Sequence, residues 1–143
     1  MTLTKIKEAW EGMSRYWKED LTTIKLDNLP FYPTRHFIER IEERSHVRIF
    51  GEGKPHNKYI PRKEDIQYLF QLEEVVDKLL FEVKIDSPVA VYYKDFVLVI
   101  KMLQEAVVGV TFHQDENVNY YFKVKDDTAV IRVSDTGSVK FFS

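Results

Sequence analysis

The sequence contains no cysteine, so disulfide bonds, thiolate metal sites and a cysteine nucleophile are excluded. No apolar run approaches the roughly 18 residues of a membrane-spanning helix, and the first residues lack the apolar segment of a signal peptide. We therefore expect a cytoplasmic protein with no membrane partner.

Hydrophobic residues make up 44% and charged residues 31% of the 143 residues, which is typical of a globular chain and favours a single domain over residues 1–143.

Several motifs that would indicate a particular chemistry are also missing. His36, His46 and His56 are ten residues apart, and this spacing matches no usual set of metal ligands. The segment Gly51–Lys58 lacks the spacing of a phosphate-binding P-loop, and no serine lies in a nucleophile-elbow pattern. We therefore expect neither a metal nor another cofactor.

The charge is unevenly distributed, although the net charge is only −2. Residues 34–63 contain eight lysines and arginines against four glutamates, whereas residues 64–143 contain eight basic and fourteen acidic side chains. The net charge argues mildly against bulk affinity for nucleic acid. The positive potential is expected on the segment 34–63.

A helix is predicted to begin after Thr34. Threonine is a good N-cap residue, and Pro33 cannot continue a helix that arrives from upstream. At about 100° per residue, Phe37, Ile38 and Ile41 fall on one stripe of this helix. That stripe is the predicted core-facing side.

Another face of the same helix carries His36 and Arg40, which are four residues apart, with Arg44 one turn further on. A histidine beside guanidinium groups suits a bound phosphate. Lys54 and Lys58 lie in the basic loop that follows. The alternative interpretation is a solvated polar face, balanced by neighbouring glutamates, and a solvated connecting loop.

Hydrophobic spacing predicts two further helices, one from Thr4 to about Leu26 and one from Arg62 or Lys63 to about Leu80. After Pro88 the pattern changes to the alternation of strands. Six strands are predicted: Val89–Tyr93, Phe96–Leu103, Val107–Phe112, Val118–Val124, Ala129–Val133 and Val139–Phe142. The predicted fold is α+β, with three N-terminal helices packed on a C-terminal antiparallel meander sheet of about four to six strands.

The same patterns predict individual side-chain positions. The first and third helices are expected to pack on the sheet through Trp10, Trp17, Phe70, Val76 and Leu80. Arg132 alternates with Ile131 and Val133, so it is expected on the opposite sheet face. It is a candidate phosphate ligand if that face looks toward His36, and this assignment is withdrawn if the face looks toward bulk water. The segment Asp135–Gly137 fits a three-residue hairpin loop with glycine in the left-handed position.

The segment Tyr32–Arg44, with His36 and Arg40 in a His-x-x-x-Arg arrangement, resembles the corresponding helix of the RegB phage endoribonucleases, which are distant relatives of the RelE/YoeB toxin ribonucleases. The predicted order of elements is similar over roughly residues 5–125. The resemblance implies a phage-encoded, metal-independent endoribonuclease that cleaves single-stranded RNA (mRNA) by attack of the ribose 2′-hydroxyl. Such cleavage needs a base, an acid and cations that stabilise the phosphorane.

By this resemblance, His36 is a catalytic histidine and Arg40 is its phosphate-binding neighbour. A family glutamate on the first helix corresponds to Glu8 or Glu11, with no motif to choose between them. The second catalytic histidine of the family has no counterpart here. Its role is assigned either to Glu74, on the next predicted helix, or to His113, which follows the strand Val107–Phe112. The alternative is that the fold persists without that activity.

The candidate substrate-binding residues are Arg44, Lys54, Lys58 and Arg132. Single-stranded RNA is the expected partner, and a host protein is a possible one. The alternative function is a non-catalytic phage regulator or inhibitor that binds a host protein or nucleic acid.

Overall fold

The computed structural model describes residues 2–11, 21–50, 60–114 and 128–142, without the side chains of residues 44–50 and 114. These ranges form four helices and seven strands. The helices are α1 (Leu3–Ala9), α2 (Arg35–Phe50), α3 (Lys63–Leu69) and α4 (Glu73–Phe81). The strands are β1 (Lys25–Leu26), β2 (Leu29–Pro33), β3 (Pro88–Tyr93), β4 (Phe96–Met102), β5 (Val107–Gln114), β6 (Ala129–Val133) and β7 (Val139–Phe142).

The seven strands form one mixed sheet in the order β1-β2-β5-β4-β3-β6-β7. The pairs β2·β5 and β3·β6 are parallel, and the remaining pairs are antiparallel. The prediction of three N-terminal helices followed by an antiparallel meander is therefore wrong. Strands β1 and β2 precede α2, and long connections bring β2 beside β5 and β6 beside β3. Hydrophobic alternation locates a strand but does not say which strand it pairs with.

The first predicted helix, Thr4 to about Leu26, is wrong in its extent. Helix α1 ends at Ala9, and Lys25–Leu26 is strand β1. Ile24 and Leu26 are fully buried while Lys25 between them is exposed, which is the alternation of a strand. The helix prediction had counted this alternation as part of its apolar spacing. Asp27, with φ +56°, begins the turn into β2.

The helix predicted from Arg62 or Lys63 to about Leu80 is two helices. Leu72 is the N-cap of α4 and has an extended backbone, with φ −71° and ψ +120°. Ile66 and Leu69 of α3 and Val75 and Leu79 of α4 are all buried in the same core. The apolar stripe therefore continues across the break, which is why spacing alone did not show it.

Five of the six predicted strands are confirmed, since β3 to β7 match them within two residues. The sixth, Val118–Val124, lies outside the described residues. The hairpin loop between β6 and β7 is also confirmed, because Gly137 has φ +86° and its N–H donates to the Ser134 carbonyl at 3.0 Å.

One face of the sheet, called the helical face, is covered by α2, α3 and α4. Its core joins Phe37, Ile66 and Val75 of the helices to Leu98 and Ile131 of the strands. Of the side chains expected to contact the sheet, Phe70 is buried in this core, Val76 and Leu80 pack against it, and Trp17 lies outside the described residues. The packing prediction is thus confirmed for the third predicted helix.

The opposite face, called the second face, contains a separate buried cluster formed by Ala90, Tyr92, Val97 and Val99. Helix α1 packs on this side, where Ile6 contacts Leu103 and Val108, and Trp10 packs beside them as predicted. The indole Nε1–H of Trp10 donates to the Pro33 carbonyl at 2.7 Å. Within the described ranges, no helix is both long and apolar enough to cross a membrane.

Candidate anion-binding cleft

Helix α2 begins as the sequence predicts. The Thr34 hydroxyl accepts the Phe37 N–H at 3.2 Å, which is the N-cap hydrogen bond. The same hydroxyl donates to the Val110 carbonyl at 2.8 Å, so the cap also ties the helix to β5. Phe37, Ile38 and Ile41 are all buried, which confirms the predicted core stripe.

His36 and Arg40 lie one helical turn apart on α2. His36 is exposed, whereas Arg40 is half-buried with its guanidinium carbon 5.9 Å from the centroid of the Phe112 ring. The Arg40 Nε is buried and has no hydrogen-bond partner among the described residues. Arg35 is paired with Glu39 at 2.8 Å on the surface of the first turns. This helix therefore offers one exposed imidazole beside one partly covered guanidinium.

The other predicted catalytic residues lie elsewhere. Glu74 is exposed on α4, which packs against β7, while α2 packs against β5. Four strand spacings separate β5 from β7, or roughly 19 Å along the sheet. Glu8, on α1, and Glu11, just after it, are exposed. The end of α1 adjoins the start of α2, where an Arg35 Nη1 hydrogen donates to the Ala9 carbonyl at 3.3 Å. Glu74 is thus far from His36, whereas Glu8 and Glu11 flank the end of α1 that contacts the start of α2.

His113 is separated from α2 by the sheet itself. Its neighbour Phe112 contacts Phe37 on the helical face, at 5.3 Å between ring centroids. Because side chains alternate along a strand, His113 lies on the second face, where it is opposite Val97 of β4. The structure therefore brings His36 and Arg40 together but places His113 on the other side.

Arg132 also lies on the second face, as predicted, because Ile131 and Val133 are buried on the helical face. That face does not look toward His36, since α2 covers the helical face, so the condition for Arg132 as a phosphate ligand beside His36 is not met. Its guanidinium carbon is 4.2 Å from the centroid of the Tyr92 ring, which is a close cation–π contact. Strand pairing places Tyr92 and Lys140 on either side of Arg132. The side chain of Arg44 and all of Lys54 and Lys58 lie outside what the structure describes.

A cleft of about 400 Å³ opens beside Arg132 and is called the Arg132 cleft. It lies where β3 and β6 end, and the β3–β4 and β6–β7 turns complete it. Its lining is made of three cations, one carboxylate, two tyrosines, two serines and a valine: Lys94, Arg132, Lys140, Asp135, Tyr92, Tyr93, Ser134, Ser138 and Val133. Positive charge beside aromatic rings suits an anion that carries a planar group.

The β6–β7 turn is held in shape by its own hydrogen bonds. The Ser138 N–H donates to the Ser134 hydroxyl oxygen at 2.9 Å, and the Ser134 N–H donates to the Ser138 carbonyl at 2.9 Å. Gly137 lies against the hydroxyl group of Tyr68, so the turn is also packed against α3. This wall of the Arg132 cleft is therefore built from ordered backbone.

The opposite wall contains Lys94 and Tyr93. The Lys94 ammonium donates to Asp65 of α3 at 2.8 Å, and this hydrogen bond raises the pKa of Lys94. Burial raises the pKa of the Tyr93 phenol, whose ring stacks on Tyr68 at 5.5 Å between centroids. Both groups therefore resist deprotonation at alkaline pH more than the free side chains do.

Sequence reasoning identified Arg132 but not its partners Tyr92, Lys94 and Lys140. Lys140 alternates with apolar neighbours in the same way as Arg132, which is the only signal that could have indicated it. The parallel pairing of β3 with β6 has no such signal. Among the described residues, no group of three or more histidine, aspartate or glutamate side chains could hold a metal ion.

Comparison with known proteins gives no assignment of function. No protein-family model matches the chain, and neither a curated protein nor a solved structure is similar to it.

Proposed function

We propose that this protein binds single-stranded RNA, as a non-catalytic regulator, through the Arg132 cleft. The observation that carries the proposal is the Arg132 guanidinium stacked 4.2 Å over Tyr92, with Lys140 on the neighbouring strand and Lys94 across the cleft. These four side chains come from three strands and one turn, so the fold assembles them.

Each part of this arrangement matches one part of an RNA strand. A guanidinium plane that rests on tyrosine with one face can stack on an unpaired base with the other. Lys140 is exposed and Lys94 lines the same cleft, so phosphate oxygens can approach both ammonium groups. Stacking does not depend strongly on base identity, and binding with little sequence preference is expected.

Catalysis receives less support from the positions of the side chains. Transphosphorylation needs a base and an acid on opposite sides of one phosphate. His36 has Arg40 beside it, but Glu74 lies near the far edge of the sheet and His113 on its second face. The RegB-like endoribonuclease remains the second candidate because α2 holds an exposed histidine one turn from an arginine.

The binding proposal is tested by fluorescence anisotropy with a labelled single-stranded RNA of about 12 nucleotides, within the usual footprint of such proteins. The double variant Arg132→Ala/Lys140→Ala should weaken binding about 10- to 100-fold, since one stacked base contributes about 1–3 kcal/mol. The salt dependence should also become shallower by about 0.7 for each lost phosphate contact.

The matched control is Lys25→Ala/Lys84→Ala, which removes two exposed lysines outside the cleft lining and changes the net charge equally. This control should bind RNA as the wild type does. Equal loss of binding in both double variants, or no RNA binding by the wild type, would overturn the proposal.

The same RNA reports on the endoribonuclease alternative. Cleavage that survives EDTA, leaves a 2′,3′-cyclic phosphate and falls about 10²- to 10⁴-fold in His36→Ala would replace the binding proposal with the catalytic one. Absence of RNA binding together with tight binding to a host protein would favour the inhibitor alternative instead.

A further inference from the structure

Asp65 lies behind the Arg132 cleft and makes two contacts. One carboxylate oxygen accepts the Lys94 ammonium at 2.8 Å, and the other accepts the Arg62 N–H at 3.3 Å, which caps α3. The Asp65 side chain is only 13% exposed. The carboxylate is therefore fixed in place at the start of the helix, with its charge directed at a lysine of the cleft.

Lys94 is anchored independently of this ion pair. It occupies the β3–β4 turn with φ +51°, so its backbone is held in the left-handed conformation by the turn. Its ammonium also lies 5.4 Å from the centroid of the Tyr93 ring. The lysine side chain is 51% exposed and lines the Arg132 cleft, which it approaches from the side of α3.

We infer that Asp65 lowers the affinity of the Arg132 cleft for RNA phosphate by holding the Lys94 ammonium in an ion pair. The inference rests on the proposed RNA-binding function. A phosphate that enters the cleft competes with the carboxylate for the ammonium and is repelled by the carboxylate charge. The Lys94 end of this pair is exposed although Asp65 is mostly buried, so a phosphate can approach the ammonium from solvent.

The opposite effect, in which Asp65 helps binding by positioning Lys94, is the smaller one. The turn and the Tyr93 ring already restrict where the lysine can reach. An ammonium has three donors, and Asp65 occupies one of them in this structure. Removing the carboxylate charge therefore leaves a lysine that is still near the cleft and carries an uncompensated positive charge.

The test is Asp65→Asn in the full chain, measured by anisotropy with the same labelled RNA. The asparagine oxygen can still accept the Arg62 N–H, so the α3 cap is retained. Affinity should rise about 3- to 10-fold, and the salt dependence should steepen by up to about 0.7. The control Glu105→Gln removes an exposed carboxylate beyond the far end of β4 and should leave affinity unchanged.

A double-mutant cycle with Lys94→Met separates the ion pair from a general charge effect. Lys94→Met should weaken binding, and Asp65→Asn should then add little, because the carboxylate acts mainly through the lysine. Unchanged or weaker binding by Asp65→Asn, at an unaltered unfolding midpoint, would overturn the inference while RNA binding itself stands. Failure of the wild type to bind RNA would instead remove the proposed function on which the inference rests.

Discussion

The N-terminal half of α2 and the Arg132 cleft both present cations, but the two regions are built differently. In α2, His36 and Arg40 are brought together by helical spacing, and the buried stripe beneath them joins the helix to β5. In the cleft, Tyr92 and Arg132 are forty residues apart in the chain and meet only because β3 pairs with β6. A shared helix face is common in any sequence, whereas a convergence of distant strands is specific to one fold.

This difference leads us to assign stability to the α2 region and recognition to the cleft. Substitutions beneath α2 should lower the free energy of unfolding without altering the affinity of the folded protein for RNA. Substitutions of Arg132 and Lys140, the cleft cations on the second face, should do the reverse. Three measurements test this division.

The largest effect is expected for Phe37→Ala. Phe37 is fully buried and contacts the rings of Phe31 and Phe112, so truncation leaves a cavity between α2 and β5. The free energy of unfolding in urea should fall by about 3–5 kcal/mol. The control Phe142→Ala, at a ring that is 52% exposed, should change it by less than about 0.5 kcal/mol. A similar loss in both variants would contradict the packing of α2.

A smaller effect is expected for Thr34→Ala, which removes both the N-cap of α2 and the hydrogen bond to the Val110 carbonyl. The free energy of unfolding should fall by about 1 kcal/mol, within the usual range for a lost cap. Thr34→Ser keeps the hydroxyl and should retain most of the stability. If Thr34→Ala also weakened RNA binding under conditions where it is folded, the separation of the two regions would fail.

The smallest effect is expected for Tyr93→Phe at high pH. Burial raises the pKa of Tyr93 above its ordinary value of 10.0, so its contribution to stability is fully present below that pH and is lost as the pH rises through the folded-state pKa. The unfolding temperature of Tyr93→Phe should therefore fall less between pH 9 and 12, by roughly 1–2 °C. Parallel pH profiles for the two proteins would show that this phenol does not resist ionisation.

Local patterns predicted local structure well. The cap at Thr34, the buried stripe of α2 and the outward position of Arg132 each depend on neighbours within a few residues. The first helix prediction failed toward its end, where Lys25–Leu26 is a strand, and the third missed an internal junction at Phe70–Leu72. Both segments keep an apolar spacing compatible with helix. Burial selects apolar residues in either conformation, so spacing cannot always distinguish them.

The amino-acid pattern alone excludes thiol chemistry and predicts the start and the buried side of α2 and the alternation that turns Arg132 away from the core. The three-dimensional fold was needed to show that β3 pairs with β6 in parallel, that the sheet separates His113 from His36, and that Asp65 reaches Lys94 from another element. The physical reason is the range of the interactions. Caps, helical stripes and strand alternation are satisfied by near neighbours, whereas strand order depends on which distant segments together bury the most apolar surface.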